Sequence, residues 1–260
     1  MLKNSWIVAR KELVDHRRDG RGLVSAALYI LMGPLVVWLV MFAGGSAGNG
    51  AGARILPVMA SVFALVAAFS GGMSVAMDMI AGERERRSLL PLLMNSVSRF
   101  EIIVGKWLAA SVFAVGGLSV NVFAFGALLA FASATPATAA SLLLLMAPAL
   151  VALALAAAAL QILVSTMCRN VKEANTYLSM MIFVVMGVGM WLAFRPQSAE
   201  AWWFFAPIAG QQVLMQRVLV TGELPVLESL ILAVTTAASA GLALVYAGRL
   251  MRHDAVVYGN

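Results

Sequence analysis

Charge is what this sequence has least of. Only 12% of its 260 residues are Asp, Glu, Lys or Arg, and 62% are hydrophobic. A soluble domain usually carries roughly a quarter charged residues, so an ordinary soluble domain is excluded. Cysteine is nearly absent: Cys168 stands alone, no intrachain disulfide can form, and a reduced structural thiol is expected. The two histidines, His16 and His253, lie outside the long apolar runs and have no Cys or acidic partner at metal spacing. Intramembrane zinc or Ser–His proteolysis is therefore unsupported, and the Gly71-Gly72-Met73-Ser74 run reads as a small-residue packing patch. A phosphate-binding loop is missing too, because Gly105-Lys106 is followed by Trp107 rather than Ser or Thr. No catalytic residue, metal site or cofactor is expected in the chain.

Long apolar runs fill the space that charge leaves. Each crossing helix needs about 20 apolar residues, and six runs qualify, at 22–43, 55–77, 104–132, 138–166, 177–194 and 229–248. Hydrocarbon forces every backbone N–H and C=O to pair internally, so such runs are helices. The alternating ten-residue segments of a transmembrane barrel do not occur. The expected fold is an all-α membrane protein, one transmembrane domain over residues 1–260. The first span is expected to stay attached, since its run of about 22 residues exceeds the 7–15 of a signal sequence.

Lys and Arg sort the connections. The first 21 residues carry six, the second-to-third connection five, the fourth-to-fifth two and the tail two, whereas the opposite side holds only Arg54, Arg195 and Arg217. By the positive-inside rule both termini are cytoplasmic, as an even number of spans requires. The formal charge of +6 then faces anionic lipid headgroups rather than nucleic acid.

The flanking segments carry their own signals. Residues 1–21 read as an interfacial amphipathic helix, with Leu2, Trp6, Ala9 and Leu13 on one side and Arg10 and Lys11 among its cations. Pro34 should kink span one, and Pro57 suits the opening turn of span two. The outer connection 195–228 is too long for a turn. Its Trp202-Trp203-Phe204-Phe205 cluster and the Val213–Leu219 pattern, stopped by Gly222 and Pro225, predict a pair of short outer helices. The spans themselves are nearly free of charge. Asp78 lies at the inner end of span two and Glu228 at the outer edge of span six, while Asn121, Gln161, Ser165 and Thr166 are expected to bond between helices. Such clean spans suit an apolar or amphipathic cargo better than a sodium or proton path.

The exception to all this grease is GERERRSLLPLLMNSVSRFEIIVGK, Gly82 to Lys106. Glu83 and Glu85 suit the first turn of a short helix, Leu89, Leu92 and Leu93 are its apolar residues, and a break is expected near Asn95-Ser96. Ser98 and Glu101 form an S-x-x-E capping box, flanked by Val97 and Ile102, that starts the helix of span three. An exposed Leu trio on a polar loop marks a contact site.

This segment resembles the first cytoplasmic loop of ABC type-2 exporter permeases, particularly the NatB-like branch. Gly82, Glu83, Leu89, Leu92, Leu93, Val97, Ser98, Arg99, Gly105 and Lys106 match that loop, and Ala9 to Leu13 is similar to the family's opening helix. Arg87-Ser88 stands where the family has Gly-Thr, Leu90 where it has an acid and Ser96 where it has proline. The resemblance implies a transmembrane permease subunit of an ATP-driven exporter in the bacterial inner membrane, working as a dimer with a second copy or paralogue. It also implies two cytoplasmic ATPase subunits that hold the ATP and magnesium. Residues 82–103 would form the coupling loop, with Glu83, Arg84, Arg86, Leu89, Leu92 and Leu93 as its coupling residues. The alternatives are an ATP-independent membrane scaffold or assembly factor, a sodium-exporting ABC permease, and a secondary transporter, which the clean spans and absent repeats disfavour.

Overall fold

The computed structural model describes residues 2–43, 51–88, 97–132, 146–194, 203, 205–223 and 225–251, and these contain helices, turns and no strand. A surface helix, α1 (Leu2–Arg17), precedes α2 (Gly20–Ala43) and α3 (Ala51–Gly71). The second span continues below α3 through α4 (Met73–Met77), a π-helical turn (Asp78–Gly82) and α5 (Glu83–Glu85). Then come α6 (Arg99–Ala132), α7 (Ala147–Met167), α8 (Val171–Ala193), α9 (Pro207–Thr221) and α10 (Val226–Leu250). Six helices are long and apolar enough to cross a membrane, and the chain is a multi-pass membrane protein. The end of the bundle that carries α1, α5 and the α7–α8 connection is called here the basic end.

Burial decides which helices are central. The most apolar window of the second span is 78% buried and that of α7 61%, against 22% for α2. Small residues explain the closeness: Ala154 and Ala156 to Ala159 of α7 are all essentially inaccessible, as bilayer helix packing favours. α10 packs most extensively on α7, and α3 on α6. Outward faces of α2 and α8, with Leu28, Trp38, Phe183 and Trp191, remain exposed and apolar, which suits lipid.

Several boundaries differ from the sequence reading. α3 begins at Ala51, so Pro57 lies inside the helix rather than in its opening turn. α8 starts at Val171, six residues before the apolar run, because Asn170 caps it: the Glu173 N–H donates to Asn170 Oδ1 at 2.8 Å. Residues 133–145 lie outside the described residues, so the start expected at 138 for span four is not among them. Of the outer aromatic cluster, Trp202 and Phe204 also lie outside.

The second span breaks where it touches its neighbour. A Cβ on Gly71 would sit 3.0 Å from the Phe113 carbonyl oxygen, and one on Gly117 would sit 3.0 Å from the Gly71 Cα. Backbone therefore meets backbone at this crossing. The helical ladder lapses at Gly72, and the Gln161 amide of α7 donates to the Phe69 carbonyl. The interruption is one residue long: Gly72 keeps right-handed dihedrals (φ −96°, ψ −6°) and its carbonyl accepts the Ala76 N–H at 2.9 Å, and residues 73–88 below it form the arm.

α9 is re-entrant. Gln216 Nε2 donates to the Ala193 carbonyl at 3.5 Å and Gln212 Nε2 to the Gly189 carbonyl at 2.6 Å, while Ile208 shares a cavity wall with Val185. Successive turns of α9 therefore track α8 inward from its end. Eight residues at 1.5 Å per residue place the start of α9 about 12 Å below the end of α8. The helix stops at Gly222 in a left-handed conformation, φ +75°, the stop that the sequence signalled.

Candidate functional site

Lys106 is the pivot of the basic end. The capping box sets it there: the Ser98 N–H and hydroxyl both donate to Glu101 Oε2 at 2.9 Å, and the Glu101 N–H donates to Ser98 Oγ at 3.2 Å. With α6 begun at Arg99, Lys106 falls two turns inside the helix rather than in the connection. Its side chain is 0% exposed. The ammonium lies 3.1 Å from Glu12 Oε1 and 2.9 Å from Glu83 Oε2, and donates to the Met79 carbonyl at 2.7 Å. Three elements, α1, the π turn with α5, and α6, are thereby tied by one charge.

The preceding glycine makes the tie possible. A Cβ on Gly105 would fall 2.7 Å from both the Ser5 carbonyl oxygen and Val8 Cβ, so only glycine lets α1 lie so close to α6. The face of α1 that meets the bundle is Ser5, Ala9, Glu12 and His16, all buried. The expected apolar stripe is divided between two faces, with Ala9 and Leu13 toward the bundle and Trp6 away from it. Trp6 is 60% exposed, Arg10 and Lys11 face outward, Leu13 is half-buried against the core, and the side chain of Leu2 is outside the described set. The buried face is polar because Lys106 needs carboxylate partners.

A second, more open pair of contacts adjoins the first. His16 Nδ1 donates to the Glu12 carbonyl at 3.0 Å. Its Nε2 lies 3.4 Å from Asp78 Oδ2, a long contact that is an ion pair when the ring is protonated. Arg86 reaches the other Asp78 oxygen at 2.9 Å. Burial disfavours the imidazolium, but the Asp78 carboxylate and the Glu12 carbonyl outweigh it and hold His16 above its ordinary value. Lys11, 3.6 Å from Glu12 and 3.9 Å from Glu83, is likewise held up by those carboxylates against its partial burial.

The arm then docks on the α7–α8 connection. Arg84 donates to the Thr166 carbonyl at 2.9 Å and to the Cys168 carbonyl, placing a cation at the negative end of α7. Glu85 Oε2 accepts the Val171 N–H at 2.9 Å. Glu83 and Glu85 therefore end a helix instead of starting one, which corrects the expected start of the coupling helix. The ending is a Schellman motif: the Ser88 N–H donates to the Glu83 carbonyl at 2.9 Å and the Arg87 N–H to the Arg84 carbonyl at 3.0 Å. Arg87 occupies the left-handed position, φ +54°. That is the place where the resembled loop has glycine.

Of the sequence-derived coupling residues, the structure buries Glu83, half-buries Arg84 and exposes Arg86. Leu89, Leu92 and Leu93 lie outside the described residues. Sequence reading missed the joint role of Glu12, His16, Asp78 and Lys106. A usable signal existed, because a helix starting at the Ser98 cap necessarily carries Lys106 inward. Among the described residues no group of three or more His, Cys, Asp or Glu is placed to hold a metal ion.

Residues 6–245 match the family described as ABC-2 family transporter protein. Over 185 residues the chain is 30% identical to the ABC transporter permease protein NatB of Bacillus subtilis (strain 168), covering 66% of this chain and 46% of that one. Over 106 residues it is 30% identical to the Probable ABC transporter permease protein NosY of Pseudomonas aeruginosa, covering 40% and 37%. The matched stretches span less than half the length of these curated relatives.

Proposed function

The chain belongs to the ABC-2 transporter family, and from that premise we propose that it is the membrane subunit of an ATP-driven exporter. The basic end faces the bacterial cytoplasm and receives two ATPase subunits, which hold ATP and magnesium. A second permease copy or a paralogue completes the pathway, and the cargo is apolar or amphipathic, as the nearly uncharged spans suggest.

One observation carries the reading: the loop-bearing end of the second span is an arm. It hangs below the Gly72 break and is fastened by Lys106 to α1 and α6. A push on the Ser88–Val97 connection would turn the arm about Gly72. The Lys106 contacts would carry that turn into α1 and α6, and Arg84 would carry it into the end of α7. Packed helices respond to such a force by switching between arrangements rather than by bending continuously. Access to the cargo path would then alternate as the ATPase subunits close and open. Glu83 and Arg84 transmit force inside the subunit, whereas Leu89, Leu92 and Leu93 are the residues proposed to meet the partner. The outward face of α1, with Trp6, Ile7, Arg10 and Val14, lies on the inner leaflet.

The test is co-purification with candidate ABC ATPase subunits from the same organism, for the parent and for Leu89→Asp with Leu92→Asp. The double variant should lose the ATPase while keeping its helix content and detergent-solubilised size. An unaltered complex would refute the docking role. Activity without any ATPase would refute the exporter.

A further inference from the structure

A side-open cavity of about 630 Å³ lies between α7, α8 and the start of α9. It runs from Met167 and Cys168 at the basic end to Val185 and Ile208 at mid-depth. Drug-sized sites commonly have volumes of about 300–1,000 Å³. Three methionines, Met167, Met180 and Met181, line it with valines. Methionine is flexible and polarisable, and it adapts to varied apolar shapes. Met180 and Val184 are more than half exposed, so the cavity opens sideways to the bilayer.

The mouth differs from the walls. Glu173 lines the basic end, beside Tyr177, and is the one acid of the lining. The acids of the neighbouring knot, Glu12, Asp78 and Glu83, each have a Lys or Arg within 4 Å. Glu173 has no cation at that distance among the described residues. One oxygen accepts the Arg169 N–H at 2.7 Å. Arg84 is close enough to feel its field, but it makes its hydrogen bonds to the Thr166 and Cys168 carbonyls and none to Glu173. Burial first, and the Glu173 charge second, push the Cys168 thiol up to about 11. The mouth of an apolar slot on a cationic face is therefore locally negative.

We infer that this groove binds an amphiphilic monocation, its alkyl tail along Met180, Met181 and Val184 and its ammonium beside Glu173 and Tyr177. The head would gain an ion pair and a cation–π face, and the tail would enter laterally from the inner leaflet. This names a cargo class for the proposed exporter and rests on that reading only for the word cargo, since binding itself needs no ATPase.

The experiment uses the full chain in nanodiscs of neutral lipid. The probes are three photoreactive dodecyl chains with trimethylammonium, hydroxyl or sulfonate heads, and labelled peptides are mapped. The cationic probe should label the 177–185 region on the order of fivefold more than the hydroxyl probe, the size expected of one half-exposed ion pair. Glu173→Gln should bring the two to equality. Met180→Trp, which fills the slot without touching the α8 cap, should remove labelling by both. Equal labelling by all three heads, or labelling that survives Met180→Trp, would overturn the assignment. Either result alongside an intact ATPase complex would leave the exporter reading standing, and loss of that complex with head-group selectivity retained would do the reverse.

Discussion

The two halves of the bundle bury polar side chains by opposite means. At the basic end, Lys106, Glu12 and Glu83 bury full charges and neutralise them at 2.9–3.1 Å. Toward the other end, α9 is stitched to its neighbours by neutral amides: Gln212 to Gly189, Gln216 to Ala193 and Gln211 to Thr236 Oγ1 at 3.3 Å. The first region lies at the charged end of the bundle, and the second runs from mid-depth to the opposite end of α8. A buried ion is tolerated when a counter-charge lies beside it, and removing that counter-charge is costly. Unbonded atoms occur in both regions: Gln212 Oε1 and Gln161 Oε1 among the amides, and Arg84 Nε and Glu83 Oε2 at the basic end, the last with the Lys106 ammonium 2.9 Å away; an amide loses less than an ion when its partner is removed. The charged knot therefore behaves as a latch that is shut or broken. The amide row behaves as an adjustable seam.

The strongest break of that contrast is Lys106→Met. It leaves two carboxylates buried without their cation and should cost about 3–5 kcal/mol, read as a fall in thermal unfolding temperature in detergent. Adding Glu12→Gln and Glu83→Gln should recover most of the loss. If the single variant is as stable as the parent, the latch is not a latch. Gln212→Leu should cost far less, about 0.6–1.7 kcal/mol, by the same assay. A loss equal to that of Lys106→Met would erase the distinction between the two ends.

Arg87→Gly should stabilise by about 0.5–1 kcal/mol, because glycine occupies the left-handed position without the Cβ penalty that Arg87 bears. Slower proteolysis at the Ser88–Val97 connection would report it, and faster cleavage would count against the Schellman geometry. The smallest effect belongs to His16. Its pKa is raised in the folded state, so protonation stabilises the fold. That contribution is complete below the ordinary value of 6.5 and fades as pH rises through the raised one. Facing the ring are Asp78 and, through the knot, Glu12, Lys106 and Arg86. The stability gap between parent and His16→Gln should accordingly narrow as pH increases above 6.5. A gap that widens would reverse the assigned sign.

Local chemistry was legible in the linear chain wherever one residue's neighbours in sequence decide the outcome. The six apolar runs, the Ser98–Glu101 box and the Gly222 stop are of this kind. The polar underside of α1 was not, since Trp6 and Leu13 look like the anchoring stripe until Lys106 is known to wait on α6. The interruption at Gly72 was equally hidden, because it goes with the close crossing of Gly71 and Gly117 and the Gln161 amide on the Phe69 carbonyl.

Sequence alone determined that this chain is a bundle of membrane-crossing helices with one charged end, because run length and Lys/Arg placement act residue by residue against bilayer and water. Tertiary structure alone decided that Glu12, Glu83 and Lys106, up to 94 residues apart, share one buried charge balance. A lone ion cannot be buried, so its partners had to come from whichever helices the packing brought beside it.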